Sequence, residues 1–307
     1  MIFDSKFKVT PTVPQLTYLP RLPEIVSYES QILSDHLKRL VTITVVYSRQ
    51  NSRLSNGSYP LLVLNDGQNI NELNLLRNLQ ELTSHDENFV SPFIVALHAP
   101  ADIRKRWYGT VGASCLARLS PNNHIEVLGD KAGKYESFVR EELMYFIDQH
   151  IGQNRGLISI SPRHRAFAGF SLGALSAFDI VLRNQQQFGI YGGFSGSFWW
   201  RDREYCIEAP NGDRIAHKRV EALSEPPKVR FWFQSGGLDE YCDRDFDGTI
   251  DAVGDTLHLI TRLRRQGVAE SLINHTYLPL GEHNYQTWRE VFPEFLRWAF
   301  NKKVLGD

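Results

Sequence analysis

From residue 25 onward the chain alternates short apolar runs with longer stretches of helical period. Two β-branched, partly alternating segments come first, "VSYESQIL" (26–33) and "LVTITVVY" (40–47), joined by the polar "SDHLKR". That pattern predicts an antiparallel strand pair. "LLVLND" (61–66) then leads into a helix over 70–83, and "FIVALHA" (93–99) follows. A long irregular segment precedes the amphipathic "YESFVREELMYFIDQHI" (135–151). "RAFAGF" (165–170) runs straight into another helix, followed by "GIYGGFSGS" (189–197) and "VRFWFQSGG" (229–237). A helix over 249–266, "INHTYLPLG" (273–281) and a last helix over 286–300 complete the pattern.

Short buried runs separated by helices predict parallel strands joined by crossovers, since strands covered on both faces read as nearly continuous apolar segments. Eight such strands, the first two a hairpin, predict an α/β fold: a mostly parallel eight-stranded sheet with helices on both faces, as in the α/β-hydrolases. Residues 100–133 and 198–228 are moderate, polar, irregular insertions, so no large cap domain is expected. Residues 1–24 hold Pro11, Pro14, Pro20 and Pro23 and read as an extended arm on a single catalytic domain, 25–307.

The fifth strand ends in Gly169-Phe170-Ser171-Leu172-Gly173, a Gly-x-Ser-x-Gly set between strand and helix. A nucleophile elbow needs that sequence of elements, with glycines where neighbouring backbone leaves no room for a Cβ. The helix start also aims free N–H groups and its positive dipole end at the serine. The competing reading is an N-capping serine packed among small residues. Chain order is an independent test, because this fold places the acid after the seventh strand and the histidine after the eighth. Asp239 follows "VRFWFQSGG" and His283 follows "INHTYLPLG". Ser171 is therefore the expected nucleophile, His283 its base and Asp239 the group that orients the imidazole, with Glu240 or Asp243 as alternative acids. The expected oxyanion donors are the backbone N–H groups of Leu172 and of Gln68, in "LNDGQN". Ser195 and Ser197, with no helix directly after them, read as wall or capping residues, His98 as a hydrogen-bonded structural residue or one bordering the cleft, and His258 and His275 as structural or surface positions.

Bulk properties narrow the partners. The formal net charge is −1 and no long basic run occurs, which argues against nucleic acid. Cys115, Cys206 and Cys242 are widely spaced and odd in number, a pattern of neither disulfides nor zinc ligands. "MIFDSKFKVTPTVPQL" has no apolar h-region and no segment reaches membrane-span length, so no membrane partner and a cytoplasmic location are expected.

With these residues in place, the chain resembles the esterase D and enterochelin esterase-like branch of the α/β-hydrolases. The resemblance rests on "LLVLNDGQN", "YESFVREELMYFID", "AGFSLGALSAFDIVLRNQQQFGIYGGFSGSFWW", "FQSGGLDE" and "LPLGEHNYQTW", spanning residue 60 to the C-terminus. It implies a serine hydrolase of carboxylic esters, with siderophore, feruloyl or acetyl-sugar esters as substrate classes and mycolyl transfer among relatives. It also implies Ser171, Asp239 and His283 as the triad. The family leads one to expect an acidic residue before Tyr108-Gly109, where this chain has Trp107. Trp107, Tyr108, Ser197, Trp199 and Trp200, with Phe198, are expected to line an aromatic substrate cleft. Arg104 and Arg106 read either as holders of an anionic group or as solvated loop residues.

"DRDFDGTIDAVGD" places Asp243, Asp245, Asp247, Gly248 and Asp251 at positions 1, 3, 5, 6 and 9 of a calcium loop, with the Thr249 carbonyl as a further ligand. The twelfth position is Gly254 instead of a glutamate. The alternatives are a structural calcium, with no cofactor required for catalysis, and a solvated acidic turn capping the next helix. For the whole chain the alternatives to a small-molecule esterase are an acyltransferase or thioesterase using the same triad, and a non-catalytic binding module of this fold.

Overall fold

Strand and helix periods fall close to where the apolar pattern puts them. The computed structural model describes residues 23–50, 53–118, 125–151, 158–201, 203 and 206–306, so the arm expected over 1–24 lies outside them except for its last two residues. Ten strands are seen among the described residues: β1 (Ile25–Ser34), β2 (Arg39–Ser48), β3 (Leu61–Asn65), β4 (Phe93–Leu97), β5 (Cys115–Arg118), β6 (Ile125–Leu128), β7 (Arg165–Phe170), β8 (Ile190–Phe194), β9 (Arg230–Leu238) and β10 (Ile273–Glu282).

Eight of them form one sheet in the order β1-β2-β4-β3-β7-β8-β9-β10. β2 is antiparallel to both its neighbours, and every pairing from β4 through to β10 is parallel. This is the α/β-hydrolase sheet the pattern predicts. β3, β4, β7 and β8 are buried along their whole length, as strands covered on both faces must be. One layer of core joins the sheet to the helices Ala101–Trp107, 132–151, Leu172–Arg183, Ile215–Glu221 and Asp251–Arg265. The other joins it to Leu75–His85 and Tyr285–Ala299.

The two insertions expected to be irregular carry short elements. β5 and β6 form a separate antiparallel hairpin, and Ile215–Glu221 is a short helix. Neither shows clear periodicity in sequence, because four-residue strands and a two-turn helix leave too few positions for a period to emerge.

Candidate active site

β7 is buried throughout and delivers Ser171 at its C-terminal end, where the chain must turn at once into Leu172–Arg183. The turn forces Ser171 to φ 55°, ψ −122°, a region costly for a residue with a side chain. Ser171 N–H donates to the Phe194 carbonyl of β8 (2.9 Å), which holds the turn against the sheet. Gly169 is required here: a Cβ on it would sit 2.4 Å from the Gly173 carbonyl oxygen. A Cβ on Gly173 would come within 2.9 Å of Asp66 Oδ2.

β9 and β10 lie parallel, so their C-terminal ends emerge on the same edge as that of β7. The Asp239 carboxylate is wholly buried, with Oδ2 accepting from Gly236 N–H (3.0 Å) and Oδ1 from the Ser195 hydroxyl (2.9 Å). After a register shift between Leu278 and Glu282, the β10 ladder ends with Glu282 opposite Leu238, just before His283. Asn284 then caps the helix Tyr285–Ala299 through Thr287 N–H (3.0 Å), while Thr287 Oγ1 accepts from Glu282 N–H (2.9 Å). His283 Nδ1 stands 3.6 Å from Asp239 Oδ1, and its ring is 40% exposed. Ser171 Oγ has Ser197 Oγ as its hydrogen-bond neighbour (3.3 Å), and among the described residues no hydrogen bond joins it to His283. Such contacts are commonly long without substrate and tighten as the reaction complex forms.

The loop after β3 approaches the elbow from the other side. Asp66 is left-handed (φ 63°), and Gly67 follows where a Cβ would lie 2.6 Å from the Ala96 carbonyl. Gln68 is anchored by its side chain, with Oε1 accepting from Ala99 N–H (3.0 Å) and Nε2 donating to Asp66 Oδ1 (3.3 Å). Leu172 opens the elbow helix, so its N–H has no acceptor within that helix.

Behind this loop lies an ion pair the sequence reading missed. Arg104 donates from Nε and Nη2 to the two oxygens of the buried Asp66 carboxylate, each at 2.7 Å, and from Nη2 to the Phe170 carbonyl (3.3 Å). Its guanidinium lies 5.1 Å from the centroid of the Tyr108 ring, and the Tyr108 hydroxyl accepts from Asp66 N–H (3.1 Å). Burial alone would lower the Arg104 pKa, but the hydrogen bonds and charge of Asp66 outweigh it and raise it. Arg104 is therefore neither a solvated loop residue nor a free anion holder, and Arg106 is paired with Asp130 (2.8 Å). An aspartate directly after a buried strand and before Gly67 was the one available hint, and it does not name Arg104 as the partner.

Of the expected aromatic cleft, the structure leaves mainly Trp199 open, at 36% exposure. Trp107 and Trp200 are core residues. Trp107 stacks on Tyr135 (5.7 Å), with Arg39 over its ring, and is almost fully buried. Trp200 donates from Nε1 to the Ala113 carbonyl (3.1 Å), and its ring packs over Gly109 and Gly129. Tyr108 is buried beneath Arg104, and Ser197 lies beside Ser171 with little surface of its own. Large aromatic area is worth more in the core than at an open wall, and sequence alone does not say which side of a loop faces inward. His98 and His275 are hydrogen-bonded to Thr44 and Ser235, each at 2.7 Å, as structural histidines would be.

In the acidic loop the carboxylates of Asp243, Asp245 and Asp247 converge, with one oxygen of each within 4.8 Å of the others. Asp251 does not join them: Oδ1 accepts from Arg244 N–H (3.0 Å), and Oδ2 lies 3.1 Å from Arg244 Nη1. Asp243 and Asp247 already accept backbone N–H groups of Asp247, Gly248 and Thr249. This fits a self-capped turn, and it removes the ninth-position ligand from the calcium pattern. Arg244 instead links the loop to Asp255, a buried carboxylate that also binds the buried Arg214.

Comparison with known proteins places this geometry in context. The family model described as "Putative esterase" matches residues 34–299. No curated protein sequence matches. Among solved structures, the enterobactin esterase FES of Shigella flexneri, crystallised with 2,3-dihydroxy-N-benzoyl-serine, superposes with a TM-score of 0.67 at 18% identity, over 95% of this chain and 62% of that one. A ferulic acid esterase gives 0.64 at 16% identity, over 91% of this chain and 99% of the other. The siderophore hydrolase EstB of Aspergillus nidulans gives 0.61 at 18%, over 93% and 96%. The chain thus spans about 60% of the length of the enterobactin esterases it matches, and at these identities the likeness is one of fold.

Proposed function

Because the chain belongs to the "Putative esterase" family, we propose that it hydrolyses carboxylic esters through an acyl-enzyme on Ser171. The observation that carries the reading is the strained, left-handed Ser171 at the end of β7, on the same sheet edge as the buried Asp239 and its partner His283. Strain of this kind in a turn that could have used glycine indicates that the hydroxyl is wanted there.

In this reading Ser171 Oγ attacks the ester carbonyl as His283 removes its proton. The C–O bond to the alcohol then breaks, with the same proton returned to the leaving oxygen. Water, deprotonated by His283, then adds to the acyl carbonyl, the bond to Ser171 Oγ breaks as His283 returns the proton to that oxygen, and the acid leaves. Asp239 holds the imidazole with Nδ1–H toward its carboxylate and stabilises the imidazolium. The developing oxyanion is received by the N–H groups of Leu172 and Gln68, one at a helix start and the other on a loop tied down through the Gln68 side chain and the Asp66–Arg104 pair. Siderophore, aryl and acetyl-sugar esters are the proposed substrate classes, with Ser197 beside the nucleophile (3.3 Å) and the exposed Trp199 two positions further along the chain. Transfer of the acyl group to an alcohol would use the same steps with another acceptor.

The test is labelling and turnover together. A fluorophosphonate should modify the wild type on Ser171, and Ser171→Ala should abolish labelling and lower kcat by roughly 10⁴-fold on a panel of p-nitrophenyl, feruloyl, acetyl-sugar and trilactone esters. Near-native turnover by that variant would refute the assignment.

A further inference from the structure

We propose that Ser195 and Trp288 are positioning residues for the acid–base pair, acting as one hydrogen-bonded chain. The proposal rests on the reading of Asp239 and His283 given above. Trp288 Nε1 donates to Ser195 Oγ (2.9 Å). With that lone pair occupied, the Ser195 hydroxyl donates its single proton either to Asp239 Oδ1 (2.9 Å) or to Gln234 Oε1 (3.3 Å). The shorter contact to an anion is the stronger, so the hydroxyl donates to Asp239 Oδ1. Oδ1 is the same oxygen that faces His283 Nδ1.

Two further observations separate this from ordinary packing. Ser195 adopts φ 46°, where glycine would be free of strain, so a side chain there is retained at a cost. Trp288, almost fully buried, also meets the His283 ring edge-on at 5.3 Å between centroids. One indole thus touches the base directly and reaches the acid through a single hydroxyl. The spacing explains the Gly-x-His-x-x-x-x-Trp ending. Asn284 caps the helix Tyr285–Ala299, which puts Trp288 on its first turn, facing back beneath the loop that carries His283. With Gly236 N–H on Oδ2 and Ser195 on Oδ1, both carboxylate oxygens are directed before His283 arrives.

The variants are Ser195→Ala, Ser195→Gly, Trp288→Phe and the double Ser195→Ala/Trp288→Phe, assayed with p-nitrophenyl acetate beside Ser171→Ala. Loss of a hydrogen bond to a buried charge should lower kcat by roughly 10- to 100-fold in both Ser195 variants. KM should change by less than about threefold, since no substrate contact is removed. Ser195→Gly should lower Tm less than Ser195→Ala, because both lose the hydroxyl but only glycine relieves the left-handed strain. Trp288→Phe keeps the ring but loses the N–H; if the two residues form one chain, the double variant should be about as slow as Ser195→Ala alone. Near-native kcat in a stable Ser195→Gly would overturn the proposal, as would losses that multiply in the double variant. If Ser171→Ala is inactive while Ser195→Gly is active, only the positioning role fails. If Ser171→Ala stays active, the triad reading fails and takes this proposal with it.

Discussion

Replacing Asp255 by asparagine tests the buried charges that tie the acid loop to the rest of the molecule. Asp255 and Arg214 are each 1% exposed, and Arg244 adds a second guanidinium to the same carboxylate, with Nη1 3.2 Å from Oδ2. Asp251 contributes another negative charge on Arg244, so two cations and two anions balance. Asparagine keeps the shape and one acceptor, but it removes the carboxylate charge from Arg214, which retains His258 Nδ1 (3.3 Å) and the Asn211 carbonyl (3.0 Å) beside it. Removing one partner of a buried pair costs about 3–5 kcal/mol, because the remaining charge stays desolvated. A chain of 307 residues unfolds with an entropy near 0.6 kcal/mol/K, so Tm should fall by about 5–8 °C. Scanning calorimetry with matched circular dichroism measures it. At 25 °C, kcat should fall less than about tenfold, since Asp239 is held independently by Gly236 and Ser195. A drop in Tm below about 1 °C would show that the network is not balanced as described. A collapse of kcat in a folded variant would mean that Arg244 holds the acid in place.

Acid should destabilise the protein before its carboxylates titrate. Burial lowers the pKa of His98, His217, His258 and His275, with the charges of nearby arginines adding to this for the last three. Their folded pKa values lie below the unfolded value of about 6.5, so between pH ~7.5 and ~5.5 the unfolded chain takes up more protons and Tm should fall. Glu240, raised by burial, has the opposite sign. A Tm that is flat or rises on acidification would contradict the burial of these rings. Calcium held where the carboxylates of Asp243, Asp245 and Asp247 converge would, at tenfold over Kd, stabilise by about 1.4 kcal/mol, near 2 °C for this length. That gain should vanish in Asp245→Asn; no gain in the wild type would leave the loop a self-capped turn braced by Arg244.

The eight main strands, the elbow and the order Ser171, Asp239, His283 were legible along the chain. Each is a local property: a buried parallel strand must be continuously apolar, a strand-to-helix turn must carry small residues, and strand order constrains which loop ends beside which. Asp66, Arg104, Ser195 and the indole N–H of Trp288 were not legible. Their partners lie 38 positions away for Asp66 and Arg104, 44 for Ser195 and Asp239, and 93 for Ser195 and Trp288. No window along the sequence spans such pairs. The aromatic residues 107, 108 and 200 mark the same boundary from the other side. Their composition suggested a cleft, but a ring's value depends on whether its loop turns inward, and only the packing of 101–135 and 198–214 against the sheet decides that. Arg244 is the sharpest instance: among four acidic residues it reads as one charge in a metal-like loop, and only the folded chain shows it supplying the cation that Asp251 and Asp255 require.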